Sequence, residues 1–117
     1  MQTNGFLRGA AVVVAVASLS APAAAQVPIP ASIGQIVARP MEDDGKHISV
    51  TGTVYVRGEA LWLQLCDEAM TCIYLDHADD LRAKAGNKMT LAGHFLAHAE
   101  LRYTPVNNVL VVEGPGS

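Results

Sequence analysis

The sequence predicts a small, mostly β domain: five strands, a short N-terminal helix, and one further helix between the third and fourth strands. Three observations predict it. After position 46 come five short runs of β-branched and aliphatic residues, most of them alternating apolar with polar as a half-buried strand does. Gly52 interrupts the longest of these runs, as happens where a strand bends sharply to serve both halves of a rolled-up sheet. Helical spacing is confined to two short stretches.

The first 25 residues read as an export signal and not as part of that domain. Met1 to Gly9 is a short polar start whose only charged side chain is Arg8, and Ala10 to Leu19 is an apolar run of signal-peptide length. Ser20-Ala21-Pro22 breaks the run, and Ala23-Ala24-Ala25 offers the small residues a signal peptidase reads, placing cleavage before Gln26. No cysteine stands there to take a lipid, and no later stretch reaches the roughly 20 apolar residues needed to span a bilayer. The expected organisation is therefore a signal peptide (1–25), a flexible tether (26–31), one domain (32–113) and a tail (114–117). The expected location is the periplasm, or alternatively the medium.

Without Arg8 the chain holds seven Lys or Arg against eleven Asp or Glu. That mildly acidic balance is opposite to what grips phosphate backbones, and no basic run marks a lipid or nucleic-acid surface. Gln26 to Pro30, with two prolines in five residues, reads as extended tether. Ser32 caps a short helix whose Ile33, Ile36 and Val37 share a face, and Pro40 ends it. Met41 to Lys46 is a polar turn with Gly45 free to take positive φ.

His47 to Arg57 is the first long strand, with Ile48, Val50, Val54 and Val56 on one face. Ala60 to Cys66 alternates as the second, and Cys72 to Asp76 returns as the third after a turn at Asp67 to Thr71. His77 to Ala85 is the internal helix, with Asp76 as cap and Gly86-Asn87 as its end. Lys88 to Ala97 is the fourth strand. A polar loop carries Arg102, Tyr103 and Pro105, and Val109 to Glu113 is the last strand.

This order, with its bent first strand and internal helix, resembles the OB-fold, a five-stranded Greek-key barrel. The stretch from Pro40 to Gly52, with a proline, a glycine and the run Ile48-Ser49-Val50-Thr51-Gly52 after a short helix, is similar to the entry of small secreted bacterial OB-fold proteins. The resemblance covers about Ile33 to Glu113 and implies a five-stranded OB-like barrel with a binding surface around its second and third strands.

Cys66 and Cys72 are the only cysteines, and in an exported chain a lone pair is expected to be oxidised. With Asp67 to Thr71 as the hairpin loop, Cys66 falls opposite Cys72, Gln64 opposite Tyr74 and Trp62 opposite Asp76, while Leu65 meets Ile73 and Leu63 meets Leu75. Trp62 and Tyr74 thus share a face on which aromatic rings either stack on a ligand or finish the packing. Arg57, Gln64, Arg102 and Tyr103 are the candidates to border it.

His94 and His98 lie four apart, which on a strand separates them by about 13 Å and keeps them from sharing an ion. No metal and no cofactor is expected. Nor is there a G-x-S-x-G, an H-E-x-x-H or a phosphate-binding glycine loop. The sequence therefore points to a non-catalytic binding module for a protein partner or an envelope saccharide. The other readings are a structural accessory of an envelope complex and, opposed by the charge, a binder of single-stranded nucleic acid.

Overall fold

The fold is described from a computed structural model, which covers residues 27–58 and 62–115; the predicted signal segment 1–25, Ala60 and Leu61 at the start of the second predicted strand, and the last two residues lie outside the described residues. The chain runs β1 (Ile29–Ala31), α1 (Ile33–Ala38), α2 (Pro40–Asp43), β2 (His47–Arg57), β3 (Trp62–Cys66), β4 (Cys72–Asp76), a 3-10 segment (Asp79–Lys84), β5 (Lys88–Leu101) and β6 (Thr104–Pro115). It is mostly β. The six strands form one sheet in the order β1-β2-β3-β4-β6-β5, and a further pairing between β2 and β5 turns the sheet back on itself.

Gly52 explains how β2 serves two neighbours. From His47 to Thr53 the strand pairs antiparallel with β5, and from Thr53 to Arg57 it pairs antiparallel with β3. At the changeover the backbone is so closely covered that a Cβ on Gly52 would lie 2.8 Å from the Cys66 carbonyl oxygen, 2.9 Å from Leu65 and 3.0 Å from Ile33. Gly93 plays a similar part in β5 opposite a bulge at Glu113 of β6, where a Cβ would overlap the Val111 carbonyl. Alternation does the rest. Ile48, Val50 and Val54 of β2, Leu63 and Leu65 of β3, Ile73 and Leu75 of β4, and Phe95 and Leu110 of the last two strands bury together, and Ile33 and Ile36 of α1 join them.

Ser32 caps α1 as expected, its hydroxyl accepting the Gln35 N–H at 3.2 Å. The β3–β4 register also follows the predicted pairing: Cys66 faces Cys72, Gln64 faces Tyr74, Leu65 faces Ile73 and Leu63 faces Leu75. Cys66 and Cys72 are joined by a disulfide.

Several expectations are corrected. The sheet has six strands where five were expected, because Ile29–Ala31, assigned to the tether, pairs parallel with Ile48–Val50. Pro30 is tolerated there because the strand sits at the sheet edge, where a missing donor costs no ladder bond on the open side. Pro40 does not merely end α1. It opens α2 at a first-turn position, where its lack of an N–H is harmless, so part of the expected Met41–Lys46 turn is helical.

The expected helix His77–Ala85 is a 3-10 segment over Asp79–Lys84. Asp76 does not cap it; its Oδ1 accepts the adjacent His77 N–H at 2.9 Å. The predicted polar loop after Ala97 is mostly strand. Leu101 pairs with Thr104, leaving Arg102 and Tyr103 as a two-residue turn, and β6 continues past the expected tail boundary through Gly114 to Pro115. Among the described residues no helix is long and apolar enough to cross a membrane.

Candidate functional site

The antiparallel β2–β3–β4 ladder sets the site's floor. Tyr55 stands opposite Gln64, and Gln64 opposite Tyr74; one step along, Arg57 stands opposite Trp62. Period-two alternation therefore puts Arg57, Trp62, Gln64 and Tyr74 on the face away from Leu63, Leu65 and Leu75. Trp62 is half-buried and meets Tyr74 edge to face, with ring centroids 5.4 Å apart and planes at 81°. Arg57 is exposed and lies over the Tyr55 ring, 5.1 Å from its centroid. It thus reaches the aromatic ring of its own strand.

Beside Trp62 opens a cleft of about 160 Å³, walled by Trp62, Leu63, Leu75, Asp76, His77, Ala78, Asp79, Arg82, Leu101 and Arg102. Three pieces of chain meet here: the start of β3, the run from the end of β4 into the 3-10 segment, and the β5–β6 turn. Its apolar wall comes from the same leucines that close the core. Its polar wall is of both signs, with Asp79 3.5 Å from Arg82 and Asp76 holding the His77 amide. The indole N–H of Trp62 is buried and makes no hydrogen bond among the described residues. A donor so placed is costly to leave unpaired, by about 1–3 kcal/mol.

Of the six residues singled out by sequence, Trp62 and Arg102 line this cleft, Tyr74 braces Trp62, and Gln64 sits between Tyr55 and Tyr74 in the ladder. Arg57 stays on the same face without lining the cleft. Tyr103 lies one residue beyond the lining, 96% exposed at the turn. The disulfide stands at the far end of the β3–β4 hairpin from Trp62, so Trp62 does not pack on it. Asp76, His77, Asp79 and Arg82 are lining residues that sequence reasoning missed; the signal was the predicted helix directly after the third strand, which had to lie near that strand's end.

A second polar constellation was also missed. His47, Glu113 and His94 come from β2, β6 and β5, because His47 pairs with His94 and Val111 with His94. Glu113 receives both imidazoles, His47 Nε2 at 2.7 Å and His94 Nδ1 at 2.6 Å, and the rings stack with centroids 5.0 Å apart. His98 instead bonds Asn107 at 2.8 Å. Among the described residues no group of three or more His, Cys, Asp or Glu side chains is arranged to hold a metal ion. The His–Glu–His group ties three strands together by hydrogen bonds.

Comparison of the chain with protein-family models, with curated proteins and with solved structures finds no match.

Proposed function

We propose that this chain is an exported, non-catalytic OB-like binding module that takes a saccharide unit of the cell envelope into the cleft beside Trp62. The OB-like reading is supported by the strand pairing. β4 and β6 run parallel between antiparallel neighbours, so the order of the closed circuit is β2-β3-β4-β6-β5, as in a five-stranded Greek-key barrel with β1 added at its edge. Val56, Leu63, Leu75, Leu110 and Phe95 stand opposite one another in turn, and the Phe95 amide bonds the Lys46 carbonyl. One circuit thus returns to the β2 side of the sheet at Lys46, ten residues before Val56, and a fixed stagger of that kind is what a closed barrel requires. Export is supported by the signal-like first 25 residues and by the Cys66–Cys72 disulfide, a bond characteristic of oxidising compartments.

The single observation carrying the ligand class is the company Trp62 keeps: an aromatic wall with carboxylate and guanidinium groups around about 160 Å³. That volume is well below the roughly 300–1,000 Å³ of pockets for drug-sized ligands, so it seats one ring-sized group. A sugar ring offers an apolar face to the indole and hydroxyls that both give and accept hydrogen bonds, matching a lining of mixed sign.

Trp62 is the only tryptophan in the chain, so its fluorescence reports on the cleft directly. Titration with N-acetylglucosamine, a sugar of bacterial envelope glycans, gives a saturable change in Trp62 emission. Calorimetry shows the binding lost in Trp62→Ala while circular dichroism shows the fold kept. No saturable response in the native protein, or undiminished binding by Trp62→Ala, sinks the reading.

A further inference from the structure

The β5–β6 turn has a backbone that its residues do not favour. Leu101 pairs with Thr104, so Arg102 and Tyr103 alone reverse the chain, at φ values of 52° and 67°. A two-residue hairpin turn with both φ positive matches the right-handed twist of its strands, and it is ordinarily supplied by Asn-Gly because side chains clash in the left-handed region. Tyrosine is among the residues least suited to it. Its ring gives nothing back to the fold, being 96% exposed. Backbone strain kept at an exposed residue is the kind of outlier from which a functional role is inferred. Its neighbour Arg102 lines the Trp62 cleft, so the turn stands at the cleft's border.

We propose that Tyr103 forms a second saccharide subsite, its ring covering the sugar unit joined to the one held beside Trp62, so that the natural ligand is an oligosaccharide. This rests on the cleft reading given above. A tyrosine suits the role because its flat ring is held by only two side-chain torsions and loses little freedom on contact. The rigid two-residue turn fixes where that ring is offered. The cleft alone seats one unit, and the turn sets the preference for chain length.

The test compares N-acetylglucosamine with its β-1,4-linked tetramer, each titrated against native protein, Tyr103→Gly and Tyr103→Phe and read by Trp62 fluorescence. The native protein binds the tetramer about tenfold more tightly than the monomer, the scale of one aromatic contact. Tyr103→Gly holds the monomer as before, loses the tetramer's advantage to under twofold, and melts at a higher temperature because glycine relieves the positive φ. Tyr103→Phe keeps the advantage. A tetramer bound no better than the monomer by the native protein overturns the proposal and leaves the turn to a polypeptide partner, with the cleft reading intact. A lower melting temperature for Tyr103→Gly, or a tetramer advantage that survives in it, overturns the proposal as well. Failure of the native protein to bind even the monomer overturns the cleft reading and this proposal together.

Discussion

Gly52→Ala tests the changeover in β2 on which the rest of the fold depends. The added Cβ meets the Cys66 carbonyl oxygen at 2.8 Å, Leu65 Cγ at 2.9 Å and Ile33 Cδ1 at 3.0 Å. The first neighbour is backbone fixed by the β2–β3 ladder, and the other two side chains are themselves buried, so none yields cheaply. Overpacking of this kind costs about 2–3 kcal/mol, and the lower chain entropy of unfolded alanine returns about 0.5–1 kcal/mol. The net loss is about 1–2.5 kcal/mol, which for a domain of this size lowers Tm by about 5–15 °C. Urea unfolding followed by Trp62 emission measures it, with a midpoint lower by about 1–2 M at unchanged slope. Gly34→Ala supplies the control of opposite sign. That position lies on the exposed side of α1, with no atom within 4 Å of where the alanine methyl would stand, so alanine stabilises by about 0.5–1 kcal/mol. A midpoint for Gly52→Ala equal to or above the native value would refute the close approach and, with it, the bend in β2.

The oxidised protein shows no reactive thiols and two after reduction; removing the bond in Cys66→Ser/Cys72→Ser costs about 2 kcal/mol, since the closed loop is short, as thiol titration and urea unfolding measure. Phe95→Ala empties the largest fully buried side chain and costs about 3–5 kcal/mol, enough that calorimetry shows a lost or much lowered transition. Asp44→Ala removes the carboxylate that accepts the Ala97 N–H at 2.8 Å, costs about 1 kcal/mol, and speeds hydrogen exchange at the Ala97 amide; unchanged exchange there would count against the contact.

The β3–β4 hairpin was legible because two independent signals agree on one register: alternation of Leu63 and Leu65 against Ile73 and Leu75, and a cysteine at each end of the loop. Gly52 was legible because a missing side chain inside a long alternating run has few other uses. Edges and ends were not. Ile29–Ala31 pairs despite Pro30 because α1, anchored by Ile33 and Ile36, brings that segment alongside β2, a tertiary cause with no local trace. The β5–β6 hairpin was hidden for the opposite reason: Arg102-Tyr103 lacks the Asn-Gly signature, and Asn107 and Asn108 resemble a turn while lying within a strand. The face of Trp62 and Tyr74 followed from alternation alone. The cleft did not, because it needs β6 parallel to β4 and the steep stagger that carries Arg102 round to Trp62.

Trp62 admits two explanations by sequence, packing and recognition, and its surroundings separate them. A tryptophan that only packs keeps its ring covered and lets its N–H reach an acceptor or water. Here the ring is only half-covered, braced by Tyr74 and lining the open cleft. Trp62→Phe therefore gives a decisive pair of readings. It keeps most of the ring contact with Tyr74 and removes the unpaired donor, so stability by urea unfolding stays within about 1 kcal/mol of native or rises. N-Acetylglucosamine affinity by calorimetry falls about tenfold or more, because a phenyl ring offers the sugar a smaller face than the indole that lines the cleft. Loss of more than about 2 kcal/mol of stability with affinity unchanged would make Trp62 a packing residue and remove the cleft from consideration.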